Sequence, residues 1–206
     1  MNDVVDQGRR RLLTAATVGT GAIGVAFAAI PFLASWQPSA RAKALGAPVE
    51  VDASKLEAGQ MLKVVWRGQA VFVVRRVKGI LEQLGKHDAM LADPASNASL
   101  QPAYIKESGA VRARNPEYWV GLAVCTHLGC SPLGAFDANN SFQVSGVDLG
   151  ANWPGGFYCP CHGSKYDLSG RVFKSMPAPT NLTVPPYAFG ANERILIGVD
   201  DAPKTA

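Results

Sequence analysis

Two six-residue segments dense in metal-ligating side chains constrain this sequence more than anything else in it. The chain has four cysteines and three histidines. All the cysteines and two of the histidines fall within Cys125-Thr126-His127-Leu128-Gly129-Cys130 and Cys159-Pro160-Cys161-His162-Gly163-Ser164. Thiolate sulfur and imidazole nitrogen are ligands for soft and borderline transition metals. The fold must therefore bring two remote loops together around one site. On spacing alone, a tetrahedral zinc site drawn from four of the six residues stays open. It would leave two cysteines without a part in the site.

The N-terminus is a second, independent signal. No charged residue occurs between Arg11 and Arg41, and Leu12 to Trp36 reads LLTAATVGTGAIGVAFAAIPFLASW. About 25 residues at roughly 1.5 Å each suffice to cross a bilayer core of about 30 Å. Pro31 near its far end is tolerated in a spanning helix. Gly19, Gly21 and Gly24 would suit close packing on partner helices. The alternative is a cleaved secretory signal with Ala42-Lys43-Ala44 as its cleavage site. Apolar cores of such signals run only about 7–15 residues, short of this stretch.

Gly8-Arg9-Arg10-Arg11-Leu12-Leu13 resembles a twin-arginine export signal, a route suited to a protein folded around its metal before export. Three arginines before the span, against Arg41 and Lys43 after it, favour a cytoplasmic N-terminus. Residues 1–11 are thus expected in the cytoplasm and 12–36 across the membrane. Residues 37–48, QPSARAKALGAP, read as a flexible tether with at most a helical turn at the alanines.

From residue 49 to 206 the pattern is β. Met61–Trp66 and Ala70–Arg76 are β-branched runs about a turn at Arg67-Gly68-Gln69. Further strands are expected at Trp119–Cys125, Gly156–Cys159 and Ile195–Val199. One or two short helices are expected within Ile80–Ala92, and Asp93–Pro116 reads as a long polar excursion with no assignable element. Many short strands with Gly/Pro turns point to an all-β fold, a small antiparallel sandwich. The 206 residues allow one such domain plus an appendage. The net charge of +4 is scattered, with no basic run interleaved with aromatics, which argues against nucleic-acid binding.

The C-x-H-x-x-C and C-x-C-H-G-S pair is similar to the signature of Rieske proteins. That resemblance implies a cluster-binding subdomain at about 124–180 and one [2Fe–2S] cluster per subunit. Cys125 and Cys159 would bind one iron, His127 and His162 the other, and Cys130 and Cys161 would form a disulfide. Two ferric ions and two sulfides leave a doubly positive core, which two thiolates neutralise and four would overshoot. A neutral site accepts an electron more easily, and its negative reduced form favours protonation of the imidazoles. His162 and His127 would therefore carry chemistry as well as ligation. Ser164 and Tyr166 stand where the family places hydrogen-bond donors to a bridging sulfide and a ligand sulfur, which raise the potential.

Rieske oxygenases would need further histidine and carboxylate iron ligands, and His87 is the only other histidine. It reads as a surface residue beside Asp88. The anchor, tether, extra cysteine pair and Ser164/Tyr166 resemble the Rieske subunit of ubiquinol–cytochrome c reductase, of bacterial type. Met176-Pro177-Ala178-Pro179 matches the family's proline-rich loop, with methionine where glycine is usual. The resemblance implies docking through Leu128, Gly129, Gly163 and Pro177 on cytochrome b, and oxidation of ubiquinol. It further implies electron delivery to a c-type cytochrome and a single-pass place in the bacterial inner membrane with a periplasmic head. The enzyme it implies is a proton-translocating quinol–cytochrome c reductase. The small Rieske subunit of arsenite oxidase and a free-standing periplasmic carrier are the alternatives.

Overall fold

The computed structural model describes residues 6–136, 143–144, 147–149 and 153–201. The chain divides into two units, Met1–Ala44 and Leu45–Ala206. Of the expected cytoplasmic stretch 1–11, residues 1–5 lie outside the described residues.

The first unit is built on helix α1 (Gln7–Ser35), 29 residues long. At about 1.5 Å per residue it exceeds a bilayer core. It is long and apolar enough to cross a membrane, with a mean hydropathy of 1.8 over its most apolar window. It starts before the expected Leu12 because the Asp6 carboxylate caps it, accepting from the N–H groups of Gly8 and Arg9. Thr14, Thr17 and Thr20 donate their hydroxyls back to the carbonyls of Arg10, Leu13 and Ala16. Their polarity is thereby satisfied within the helix, as a lipid setting requires. The alanine-rich part of 37–48 forms helix α2 (Ala40–Gly46), where Ser39 Oγ accepts from Ala42 N–H.

Among its described residues the second unit holds three antiparallel three-stranded sheets. The first has order β1 (Val49–Asp52), β11 (Arg194–Ile197), β10 (Tyr187–Phe189). The second is β2 (Met61–Trp66), β3 (Gln69–Arg75), β4 (Tyr118–Leu122). The third is β5 (Leu133–Ala135), β8 (Gly156–Tyr158), β9 (Lys165–Asp167). A short ladder of β6 (Gln143–Val144) and β7 (Val147–Asp148) stands apart.

Side-chain alternation on the central sheet builds two cores at once. Val71 and Val73 of β3, with Tyr118 and Val120 of β4, pack against Val51, Ile195 and Ile197 of the first sheet. Phe72 and Val74, with Trp119, face the opposite way into the core that holds Cys125 and Cys159. A strand buried on both faces reads as a continuous apolar run, as Ala70–Val74 does. The all-β sandwich is thus present, with the cysteine loops carried on the far face of its central sheet.

The β2–β3 turn is tighter than expected. Arg67 and Gly68 both have positive φ (51° and 74°) and Trp66 pairs with Gln69, a two-residue turn of the kind that matches strand twist. Strand β4 ends at Leu122 rather than Cys125, and β8 at Tyr158 rather than Cys159, because the cysteines begin the loops. The last strand, expected over Ile195–Val199, runs Arg194–Ile197. Within 80–92, a short helix α3 (Lys78–Leu81) precedes a 3-10 helix over Leu84–Met90. The excursion 93–116 is ordered about helix α4 (Ala103–Glu107) and a 3-10 turn over Gly109–Val111.

Candidate metal centre

The two cysteine–histidine loops share one backbone frame. In the first, Cys125 N–H donates to Cys130 C=O (2.8 Å) and Gly129 N–H to Cys125 C=O (2.9 Å). In the second, Cys159 N–H donates to Ser164 C=O (2.8 Å) and Gly163 N–H to Cys159 C=O (2.9 Å). The glycine at the fifth position has positive φ in both, 84° and 79°, where a Cβ would be strained. Each loop therefore closes on itself by main-chain bonds, which leaves its second to fourth side chains available for other contacts.

What they present is a buried sulfur floor and a histidine edge. Cys125 and Cys159 are buried free cysteines. Cys130 and Cys161 are joined as a disulfide that ties loop to loop. The Sγ atoms of Cys159 and of both disulfide cysteines lie within 4.8 Å of one another. That trio is not a ligand set, since two of its sulfurs are bonded to each other. The rings of His127 and His162 meet edge to face with centroids 4.6 Å apart. His162 is exposed and His127 half-buried. His127 Nδ1 is buried and has no hydrogen-bond partner among the described residues. A buried, unpartnered imidazole nitrogen in the same pair of loops as two buried thiols fits the mixed sulfur and nitrogen donors of such a metal centre. Burial pushes the Cys159 thiol up, with the neighbouring Cys125 adding to it and N–H groups at Cys161 and His162 opposing.

Around these groups stands a hydrogen-bonded wall. The Tyr166 hydroxyl lies 3.1 Å from Cys125 Sγ. Burial, then the Cys125 contact, raises the Tyr166 pKa, so the phenol keeps its proton. Thr126 Oγ1 donates to Thr180 C=O (2.6 Å). Ser164 is buried, and its Oγ accepts from Ala178 N–H (3.1 Å), which leaves the hydroxyl proton free to donate. This bond fixes the segment carrying Pro177, itself exposed, against the second loop. Leu128, at 71% exposure, projects from the first loop. Gly129 is exposed and Gly163 half-buried.

Sequence reading missed a buried polar network under this wall. Arg76, Arg112 and Arg171 are each buried, and so is Asp167. Arg171 donates to Asp167 Oδ2 (2.7 Å), to Asp88 Oδ1 (2.7 Å) and to Leu84 C=O (2.5 Å). Arg112 donates to Gln101 Oε1 (2.8 Å) and to the carbonyls of Ser169 (2.7 Å) and Leu182 (2.9 Å). Arg76 donates to Val111 C=O (2.9 Å), Pro116 C=O (2.9 Å) and Ser169 Oγ (3.0 Å). Arginines in loops read as solvated charge, and no local pattern separates these from the rest. His87 is not simply a surface residue, because it is half-buried with Nε2 enclosed and unpartnered among the described residues.

Two family profiles match the chain. One, described as Ubiquitinol-cytochrome C reductase Fe-S subunit TAT signal, matches residues 2–39, and the other, Rieske [2Fe-2S] domain, matches residues 94–187. The ubiquinol-cytochrome c reductase iron-sulfur subunit of Allochromatium vinosum is 50% identical over 196 residues, 95% of this chain and 91% of the relative. That of Blastochloris viridis is 41% identical over 198 residues, 96% of each. A solved structure titled Hyperthermophilic respiratory Complex III is similar with 26% identity and a TM-score of 0.47, covering 88% of this chain and 98% of that one.

Fold and site together define a Rieske-type [2Fe–2S] protein. The chain belongs to the family of ubiquinol–cytochrome c reductase iron–sulfur subunits. Electron transfer is the role of that subunit, the first of the readings the sequence left open.

Proposed function

We propose that Cys125 and Cys159, with His127 and His162, hold the [2Fe–2S] cluster, and that His162 is the group that meets ubiquinol. The observation that carries this is the edge-to-face histidine pair, carried by the same two loops as the two buried free thiols and tied by the Cys130–Cys161 disulfide. When bound, the cluster supplies a one-electron acceptor at a potential of about −150 to +300 mV.

The protein's own residues do the rest. His162, exposed, accepts the hydrogen bond of the quinol hydroxyl at Nε2 and takes its proton there. His127, half-buried, is the less accessible of the two bases. Tyr166 and Ser164 hold donors toward the site and favour its more negative state. Leu128, Gly129 and Pro177 offer an uncharged rim that can seat on cytochrome b and exclude water. Residues 12–36, all but Trp36 within α1, anchor the subunit in the bacterial inner membrane with residues 1–11 in the cytoplasm. Residues 37–48 tether the head, residues 49–206, on the periplasmic side. From cytochrome b the head reaches a c-type cytochrome, so that quinol protons are released on that side and the complex translocates protons.

Purification of the full chain from native membranes in mild detergent tests the assembly. Both b- and c-type haem should co-purify; a haem-free preparation with its cluster intact would make it a separate carrier. Cys125→Ala and His162→Ala should each abolish the EPR signal of the reduced centre, and retention of that signal would remove the residue from the ligand set.

A further inference from the structure

We infer that Arg76 and Arg112, buried and without a carboxylate partner among the described residues, raise the reduction potential of this centre by their fixed positive charge, which Asp167 and Asp88 partly offset. The inference rests on the ligand reading above.

The charge balance of the interior is the starting point. Among the described residues, the buried ionic groups are three guanidiniums and one carboxylate, Asp167. Arg171 takes that carboxylate, and also reaches Asp88, which is half-exposed. Among the described residues, every side-chain hydrogen bond of Arg76 and Arg112 ends on a neutral oxygen. Arg76 Nη2 is buried with no partner at all among the described residues. Desolvation pushes both guanidiniums down to about 10, with Asp167 the attraction common to both. They stay charged at neutral pH.

The charges are also coupled to the site. Arg112 grips Leu182 C=O, and Leu182 belongs to the same apolar core as Cys125, Cys159 and Tyr166. Ser169, bonded by both arginines, donates its N–H to Asp167, the neighbour of Tyr166. Trp119, Leu168 and Leu182 of that core are all buried, so a charge gripping it acts in a medium that screens weakly. Reduction adds one electron to the centre, and fixed positive charge favours it.

The test is the midpoint potential of the full-length subunit in detergent, in variants of opposite sign. Arg112→Gln should lower the equilibrium constant for reduction about three- to tenfold, tenfold being about 59 mV for one electron. Arg112→Lys should restore most of it. Asp167→Asn should move the potential the other way, upward, which loosened packing would not do. Should the Gln variant fail to fold, Asp88→Asn, outside the core, should still raise the potential by a smaller amount. Shifts of one sign in all variants, or none in cluster-loaded protein, overturn the inference. Failure of Cys125→Ala to lose the cluster would instead strike the ligand reading.

Discussion

The hydroxyl of Tyr166 sits 3.1 Å from Sγ of Cys125, joining the middle of strand β9 to the start of the first cysteine loop. Tyr166 is fully buried, and its raised pKa keeps the proton on oxygen, so the phenol can donate to a sulfur that carries charge. Such a bond grows stronger as the sulfur gains electron density.

Tyr166→Phe should therefore retain the cluster but lower its midpoint potential. A hydrogen bond of about 0.5–1.5 kcal/mol corresponds to roughly a two- to tenfold loss in the reduction equilibrium. Redox titration followed by circular dichroism reads this directly, and an unmoved potential would deny Tyr166 the role.

The disulfide should matter for holding the centre rather than for its chemistry. It closes a segment with a sequence separation of 31. Cross-links of this size contribute about 2–4 kcal/mol, chiefly by limiting the open state. Cys130→Ser or Cys161→Ser should lower iron content per chain and the melting temperature together. Full iron occupancy in either variant would contradict this.

Gly156 supports Tyr166 from behind. A Cβ there would fall 1.9 Å from Tyr166 C=O, an approach no side chain permits. Gly156→Ala should push β9 away from β8 and destabilise the head by about 1–3 kcal/mol, as overpacking does. Chemical denaturation measures the loss, and the potential should fall toward that of Tyr166→Phe as the hydroxyl leaves Cys125.

Burial raises Tyr187 to about 12, where its hydroxyl accepts from Arg114 N–H. The folded state then resists ionisation that the unfolded chain undergoes near pH 10. Stability from this group is complete below pH 10 and drains away between about 10 and 12, in total about 2–3 kcal/mol. Urea midpoints measured against pH should fall over that window, and Tyr187→Phe should flatten the fall.

The tether can be tested without touching the head. Proline at both Ala42 and Ala44 breaks helix α2, which contains both residues. Turnover of the assembled complex should slow while the spectrum of the centre stays the same. Equal turnover would remove any mechanical role from residues 37–48.

The pairing of the two loops was legible because their signal is local: each carries its cysteine, histidine and glycine within six positions. Strands β2 and β3 were legible because Met61–Trp66 and Ala70–Val74 are largely apolar runs rich in valine and aromatic residues. The early start of α1 was missed because a single cap, Asp6, extends the helix through charged residues that hydropathy excludes. The excursion 93–116 was opaque for a different reason. It is held through Arg112, whose partners Ser169 and Leu182 lie 57 and 70 residues away. Such pairings leave no periodicity to read. The same holds for Arg76 and Arg171, and for the enclosed Nε2 of His87.

The common frame of the two loops has a consequence for how such a site can change. Its closure depends on main-chain bonds and one glycine, so the remaining slots are interchangeable without moving the backbone. The histidine occupies the third slot in one loop and the fourth in the other, while a cysteine fills the sixth slot where its counterpart has serine. The ring is thus a socket whose wiring is set by side chains alone. Re-specifying it, for another metal or another reach toward a partner, requires exchanging residues within twelve positions and leaves the sandwich underneath untouched.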